Sequence, residues 1–291
     1  MVKLSENIRG ASYMFGAMCA FTINDAFIKA VLVEVPLFQA IFFRGLGAVA
    51  CLLVICKTLG QLHFDFSRSD RRLIVLRTTG EVAGTYFFLT ALQHLPIANV
   101  SAVLQALPLT VALSAAIFLR EPLGWRRLTA ILVGFVGVLL IIQPGGTDFS
   151  IFSLYALAAV ACVTVRDIAM RQISNDASAV FVALVAAIGV TCLGAVGSMF
   201  TDMREIHTLS ALYILGAICS LVFAYICSVK AMRHGEISFV APFRYTGLVV
   251  ALILGAAFFD EWPNILSLIG ASIVVATGLF TLYREAHFRT R

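Results

Sequence analysis

Apolar residues run in long, nearly unbroken stretches separated by brief polar or Gly/Pro interruptions, with none of the period-2 alternation of half-buried strands. A helix needs about 20 largely apolar residues to cross a bilayer. Cutting the chain at its charged and Gly/Pro breaks predicts ten such spans, at 10–32, 36–56, 73–93, 97–119, 125–142, 150–172, 177–199, 209–232, 237–259 and 263–283. Most connections are a few residues long, so successive helices run antiparallel. The first stretch is too long for the apolar region of a signal peptide and lacks a clear small-residue cleavage site, so it reads as the first span.

Composition agrees. Of 291 residues 60% are hydrophobic and 13% charged, and the mean hydropathy is +0.97. Soluble domains carry about 25% charged residues. So little polar surface cannot cover a water-soluble globule, and lipid is the natural solvent for the rest.

The net charge of +5 points to no nucleic acid once its distribution is seen. With the N-terminus inside, cytoplasmic segments hold Lys3, Arg9, Lys57, Arg68, Arg71, Arg72, Arg77, Arg120, Arg126, Arg127, Arg171, Lys230, Arg233, Arg284, Arg289 and Arg291. Outside segments hold only Arg204, and Lys29, Arg44, Arg166 and Arg244 fall within spans. Basic residues concentrate in cytoplasmic loops, so both termini are expected in the cytoplasm of a bacterial inner-membrane protein. The seven cysteines lie in spans without CxxC spacing and read as small buried hydrophobes. His63, His94, His207, His234 and His287 sit near span ends, and no metal or cofactor motif is present.

Shifted by 140, residues 91–123 overlay 231–263 without a gap. Ala91/Ala231, His94/His234, Ile97/Ile237, Val100/Val240, Ala116/Ala256, Phe118/Phe258 and Glu121/Glu261 coincide. "NDAFIKA" at 24–30 echoes "RDIAMRQ" at 166–172, so Asp167 matches Asp25. Gly134 and Gly270 correspond once the shorter second loop is allowed for. The unit is five helices, at 1–144 and 149–291, joined by the turn-rich "QPGGTD". Five is odd, so the second copy enters from the opposite face, giving an all-α membrane fold of two inverted repeats.

"INDAFIK" in the first span, "FFR" in the second and "LPIANVSAVLQALPL…AIFLREP" through the fourth resemble the drug/metabolite transporter superfamily in its EamA-type branch. "RRLTAILVGFVGVLLIIQP" and "APFRYTGLVVA" extend the resemblance to nearly the whole chain. Asn24-Asp25, Lys29 and "APFRY" are similar to the branch's S-adenosylmethionine uptake carriers, which are hard to separate by eye from its riboflavin carriers. The resemblance implies a central cavity lined by the first, third, fourth, sixth, eighth and ninth helices, and alternating access without ATP. The expected activity is transport of a small amphipathic metabolite, with uptake favoured. The alternatives are export of amino acids or drugs on the same scaffold and, remotely, an intramembrane enzyme. No HExxH, GxGD or Ser–His arrangement lies in the spans. Small-molecule substrate and membrane lipid are the expected partners, and no oligomeric state follows.

Ionisable groups inside a span cost about 2.5–3.5 kcal/mol each at its centre unless paired or wetted. They carry the strongest functional signal. Asp25 and Lys29 lie four apart, so they pair with each other or face a cavity, while Lys29 can also snorkel outward. Arg77 and Glu81 repeat the spacing. Glu81 lies within Gly80-Glu81-Val82-Ala83-Gly84, a close-approach motif, so it is buried against an arginine or faces the cavity. Arg44 demands a carboxylate partner. Arg166 and Asp167 point about 100° apart, so at most one faces the cavity squarely. Pro242 breaks span nine, and Arg244 beside it offers a planar five-donor fork suited to carboxylate or phosphate. From their depth, Glu81 and Arg244 are expected to meet. Phe243 and Tyr245 add ring surface. Asn24, Tyr86 and Gln105 complete the expected substrate-binding set of Asn24, Asp25, Lys29, Glu81, Tyr86, Gln105, Asp167, Phe243, Arg244 and Tyr245. Trp262 belongs to the interfacial belt, and Glu121 and Glu261 read as helix-end or gate residues.

Overall fold

The structure, a computed structural model, describes residues 2–61, 66–121, 123–146, 149–174, 177–233 and 237–289. His63 and His234 lie outside these residues. The described chain is helical throughout. Its helices are α1 (Val2–Val31), α2 (Leu37–Thr58), α3 (Arg68–His94), α4 (Ile97–Leu104), α5 (Leu107–Phe118) and α6 (Trp125–Ile142). There follow α7 (Phe152–Gln172), α8 (Ala179–Ser198), α9 (Thr208–Arg233), α10 (Ile237–Val240), a 3-10 turn (Ala241–Tyr245), α11 (Thr246–Phe258) and α12 (Ile265–Arg289).

Among the described residues nine segments are long and apolar enough to cross a membrane. The tenth predicted span is α3, whose 27 residues suffice in length while Arg77, Glu81 and several threonines lower its hydropathy. The fourth and ninth spans are each broken, and both breaks stand beside a proline, Pro108 in the first turn of α5 and Pro242 in the 3-10 turn. A proline inside a helix removes a donor and clashes with the preceding turn.

Helices pack chiefly as α1 on α9, α3 on α7, α2 on α8 and α6 on α12. These and weaker neighbours close a ring in the order α1, α9, α2, α8, α3, α7, α4/α5, α11, with α6 and α12 outside against α4 and α5. Several crossings are close enough to exclude side chains, among them Gly194 of α8, where a methyl would stand 2.5 Å from the Phe42 amide nitrogen of α2. A methyl on Gly80 would stand 2.8 Å from the Cys162 carbonyl oxygen of α7, and one on Gly137 would stand 2.8 Å from the Gly270 carbonyl oxygen of α12. Large apolar residues such as Phe118, Val133, Phe200 and Ile253 face outward, as a lipid-facing surface requires.

Call the end of the bundle where α1 begins the near side, and the end where α1 finishes the far side. The far half is plugged. One aliphatic cluster joins Ile28, Val31 and Leu32 of the α1 end to Ile41, Leu89, Leu92, Ile97, Val190, Ile214 and Ala251, from seven different spans. On the near side the buried clusters are small and separate, such as Leu52 and Cys56 with Phe181 and Leu184, or Val111 and Ala115 with Ile168.

The ends of α5 and α11 are built alike. Arg120 and Asp260 are left-handed, at φ 56° and 53°. Glu121 N–H then donates back to Ala115 C=O at 3.3 Å and Glu261 N–H to Gly255 C=O at 3.0 Å. This six-to-one bond is the Schellman helix ending. It places two glutamates 140 positions apart in the same local geometry, one at each side of the bundle.

Candidate functional site

Charged side chains gather in the ring interior, below the far-side plug. Glu81 of α3 accepts from Arg166 of α7 at 3.3 Å through both carboxylate oxygens. Arg166 also holds its neighbour Asp167 at 2.8 Å, so that adjacent pair closes on itself despite pointing apart at the backbone. Arg77 lies 3.7 Å from Glu81 and donates to the Val182 carbonyl at 3.3 Å. The Gly80 crossing makes this possible, because it brings the α3 and α7 backbones together at the level of the pair. The side chains of Glu81, Arg166 and Asp167 keep 21%, 27% and 31% of their surface.

The expected meeting of Glu81 with Arg244 does not occur. Glu81 is taken by Arg166 and Arg77, while Arg244 is exposed in the 3-10 turn. The residues after Pro242 form a 3-10 turn rather than continuing the α-helix, so counting residues along a regular helix does not place the Arg244 side chain.

Asp25 and Lys29 do not pair with each other either. Asp25 Oδ1 accepts from Asn24 Nδ2 at 2.9 Å. Arg44, expected to contact a carboxylate, has no hydrogen bond or ion pair among the described residues, and lies in electrostatic range of Asp25, Tyr225 and Glu81. Tyr225 of α9 is likewise in range of Glu81, Arg77, Arg166 and Arg44. These groups come from α1, α2, α3, α7 and α9, several of which are not neighbours in the ring. Groups on non-adjacent staves that lie in range of one another do so through its interior, so Asp25, Arg44, Glu81, Arg166 and Tyr225 form one loose polar cluster toward the ring interior.

The remaining expected residues are more dispersed. Tyr86 stacks on Phe38 of α2, 5.9 Å between centroids. Gln105 caps α4 at the break, half-buried. Phe243 packs with Met14, Ala231 and Val240. Tyr245 is buried, with its hydroxyl against Gly278 of α12 and no hydrogen-bond partner. Trp262 is 76% exposed at the far side.

Lys29 closes the far side. Its ammonium sits 2.7 Å from Glu261 and donates to the carbonyls of Leu92 and Leu95. All three donors are used, and the side chain is 9% exposed. Glu261 also accepts from the Ile97 N–H at 2.9 Å, the first amide of α4, where an anion meets an orphan donor and the helix dipole. One ion pair thus ties α1, α3, α4 and the end of α11. It floors an outward-facing recess of about 460 Å³ lined also by Leu32, Val33, Gln93, His94, Pro96 and Phe259. Arg171 and Glu121 occupy the matching positions at the near side, 3.9 Å apart and 45% and 50% exposed.

The sequence reading left Arg44, Arg77, Arg166 and Tyr225 out of the binding set. The signal for the arginines was their depth within spans, discounted because each had a structural pairing to offer. Tyr225 had no signal, since a tyrosine in an apolar run is unremarkable.

Comparison with known proteins gives the same picture. The EamA-like transporter family matches residues 8–143 and again 150–283. The chain is 26% identical to the S-adenosylmethionine uptake transporter of Rickettsia conorii, over 97% of this chain and 95% of that one. It is 27% identical to the pseudopaline exporter CntI of Pseudomonas aeruginosa strain PAO1, over 89% of this chain and 90% of that one. It is 24% identical to a riboflavin transporter of Vibrio cholerae, over 94% of this chain and 92% of that one. A solved protein structure, 17% identical, shares the fold with a TM-score of 0.63 over 98% of this chain and 99% of its own.

Proposed function

Since the chain belongs to the EamA-like transporter family and is a multi-pass membrane transporter, we propose that it is a secondary carrier that moves a small amphipathic metabolite across the bacterial inner membrane by alternating access. The observation that carries this reading is the unequal pair of salt bridges. Lys29–Glu261 and Arg171–Glu121 hold equivalent positions in two five-helix halves, 1–144 and 149–291, one tight and buried, the other loose and exposed. The packing supports the inverted repeat. Exchanging the halves turns α1 on α9 into α7 on α3, and returns α2 on α8 and α6 on α12 to themselves. The glutamate-bearing helix ends match as well. With the basic loops of the near side in the cytoplasm, the described conformation is closed outside and open inside. The other conformation forms by tightening Arg171–Glu121 and releasing Lys29–Glu261.

The substrate class is S-adenosylmethionine-like or riboflavin-like, following the named relatives. Uptake is the favoured direction. Export is the second reading, supported by the likeness to the pseudopaline exporter.

The gate pairs can be tested by cross-linking in a cysteine-free background. Lys29→Cys with Glu261→Cys, and separately Arg171→Cys with Glu121→Cys, should each oxidise to a disulfide. Each should abolish transport in proteoliposomes, and reduction should restore it. An impermeant thiol reagent outside intact cells should reach Trp262→Cys and not Arg126→Cys. If the near-side pair never cross-links while the far-side pair always does, the far side is a static seal and the reading fails.

A further inference from the structure

In the ring interior most charges are spoken for. Both oxygens of Glu81 are held by Arg166, which also holds Asp167. Arg77 reaches Glu81 and a backbone carbonyl. Two charges differ. Arg44 presents five N–H donors and makes no hydrogen bond or ion pair among the described residues. Asp25 accepts one bond, on Oδ1 from Asn24. The amide that gives this bond is itself incomplete, because Asn24 is 3% exposed and its Oδ1 has no partner.

Unpaired ionised groups inside a membrane protein are costly unless water or a ligand completes them. Asp25 stands six residues before the end of α1, and Arg44 seven residues after the start of α2. At 1.5 Å per residue both lie roughly 10 Å below the far-side helix ends, at one level beneath the plug. No ion pair joins them, so they stand farther apart than an ion-pair contact while remaining in electrostatic range. Phe21, one helical turn before Asp25, meets Tyr225 edge to face at 5.7 Å and supplies ring surface toward the near side.

We propose that Arg44 and Asp25, with Asn24, form a split subsite for a zwitterionic head group. The guanidinium fork of Arg44 takes the substrate's carboxylate, while Asp25 and the Asn24 amide oxygen take its ammonium. This deepens the transporter reading above and rests on it. The charge balance selects the ligand. The empty pair is neutral, and a zwitterionic head group completes both halves without adding net charge of its own, whatever the rest of the substrate carries, such as the sulfonium of S-adenosylmethionine. A lone carboxylate leaves Asp25 unpaired and repelled, and a lone cation does the same to Arg44. A neutral ring system leaves both unsatisfied, and a buried group denied its partner is penalised more than a made bond gains. The site therefore favours amino-acid-type substrates over flavin-type ones.

The test is equilibrium binding to the purified full-length carrier in detergent. The probes are S-adenosylmethionine and methionine, their carboxylate-free counterparts (decarboxylated S-adenosylmethionine and methionine methyl ester), and riboflavin. At least one zwitterion should bind, with its carboxylate-free counterpart at least about tenfold weaker, as expected for a site built to hydrogen-bond the missing group. Arg44→Gln should bring that ratio close to one. Arg44→Lys keeps the charge without the fork, so it should lower the ratio by about threefold and remain foldable. Asp25→Asn should weaken the zwitterion and leave the carboxylate ratio in place. Failure of both zwitterions to bind, riboflavin binding as tightly as either, or an unchanged ratio in Arg44→Lys would overturn the subsite. The gate cross-links need no ligand, so they can succeed where the subsite fails, and the reverse.

Discussion

Asp70 shows how one polar residue fastens a membrane helix outside the membrane. Ser67 caps α3 by accepting from Asp70 N–H at 3.0 Å, and its hydroxyl donates to the Asp70 carboxylate at 2.8 Å. The same carboxylate accepts from Ser174 N–H and Ser174 Oγ, both at 3.0 Å, beyond the end of α7. These donors, the Ser174 amide first and the Ser67 hydroxyl next, hold the Asp70 carboxyl below its ordinary pKa. A carboxyl with a lowered folded-state pKa contributes stability that is full above the unfolded value of about 3.9 and is lost as pH falls through the folded value. Asp70→Asn should therefore lower the melting temperature at pH 7, and the gap to the parent should narrow as pH drops below about 4. A gap of constant size from pH 7 to pH 3 would rule out the ionised carboxylate as its source. Sequence reasoning found the deep charges but mispaired several of them. Depth along a helix can be counted from its ends, and it placed Glu81 and Arg244 at one level. Azimuth past a broken turn cannot be counted, and Arg244 lies in the 3-10 turn after Pro242 with no contact to Glu81 among the described residues.

Among the elements, α3 is the one whose length and polarity disagree, and the Gly80 crossing explains how it is tolerated. The crossing lets the α3 and α7 backbones touch, so Glu81 and Arg166 meet without long side-chain detours. Gly80→Leu places new carbons into the Cys162 carbonyl. It should cost about 2–3 kcal/mol, typical of overpacking, read as a lower melting temperature in detergent. It should also weaken transport by parting the ion pair. A Gly80→Leu protein as stable as the parent would mean that α3 and α7 do not approach as described. This crossing was legible from Gly80 and Gly84 alone, the spans from their apolar runs, and the break of the ninth span from Pro242. The plug was not. Every span offers aliphatic residues along its whole length, and nothing local tells which end converges on its neighbours.

In the whole molecule, the overlay of 91–123 on 231–263 was the most informative sequence feature, because it paired Glu121 with Glu261 before either had a role. It could not say that one glutamate would hold a lysine tightly and the other an arginine loosely, since identical local geometry permits both arrangements. The contact between α6 and α12 outside the ring has a further meaning. A rotation leaves in place whatever lies on its axis. If the halves trade conformations about a two-fold, helices that pack against their own counterpart sit on that axis, and α6 with α12 is such a pair. Gly137 and Gly270 are then a stationary bearing, around which α1 and α7 swing in opposite senses. Spin labels placed across α6 and α12 should report one distance whether or not substrate is present. Labels near Glu121 and Arg171 should report two. A shift of several ångströms at the α6–α12 crossing on adding substrate would show that the pivot lies elsewhere. A face that keeps still while the rest of the carrier turns over is also where a second protein could hold on without stalling it.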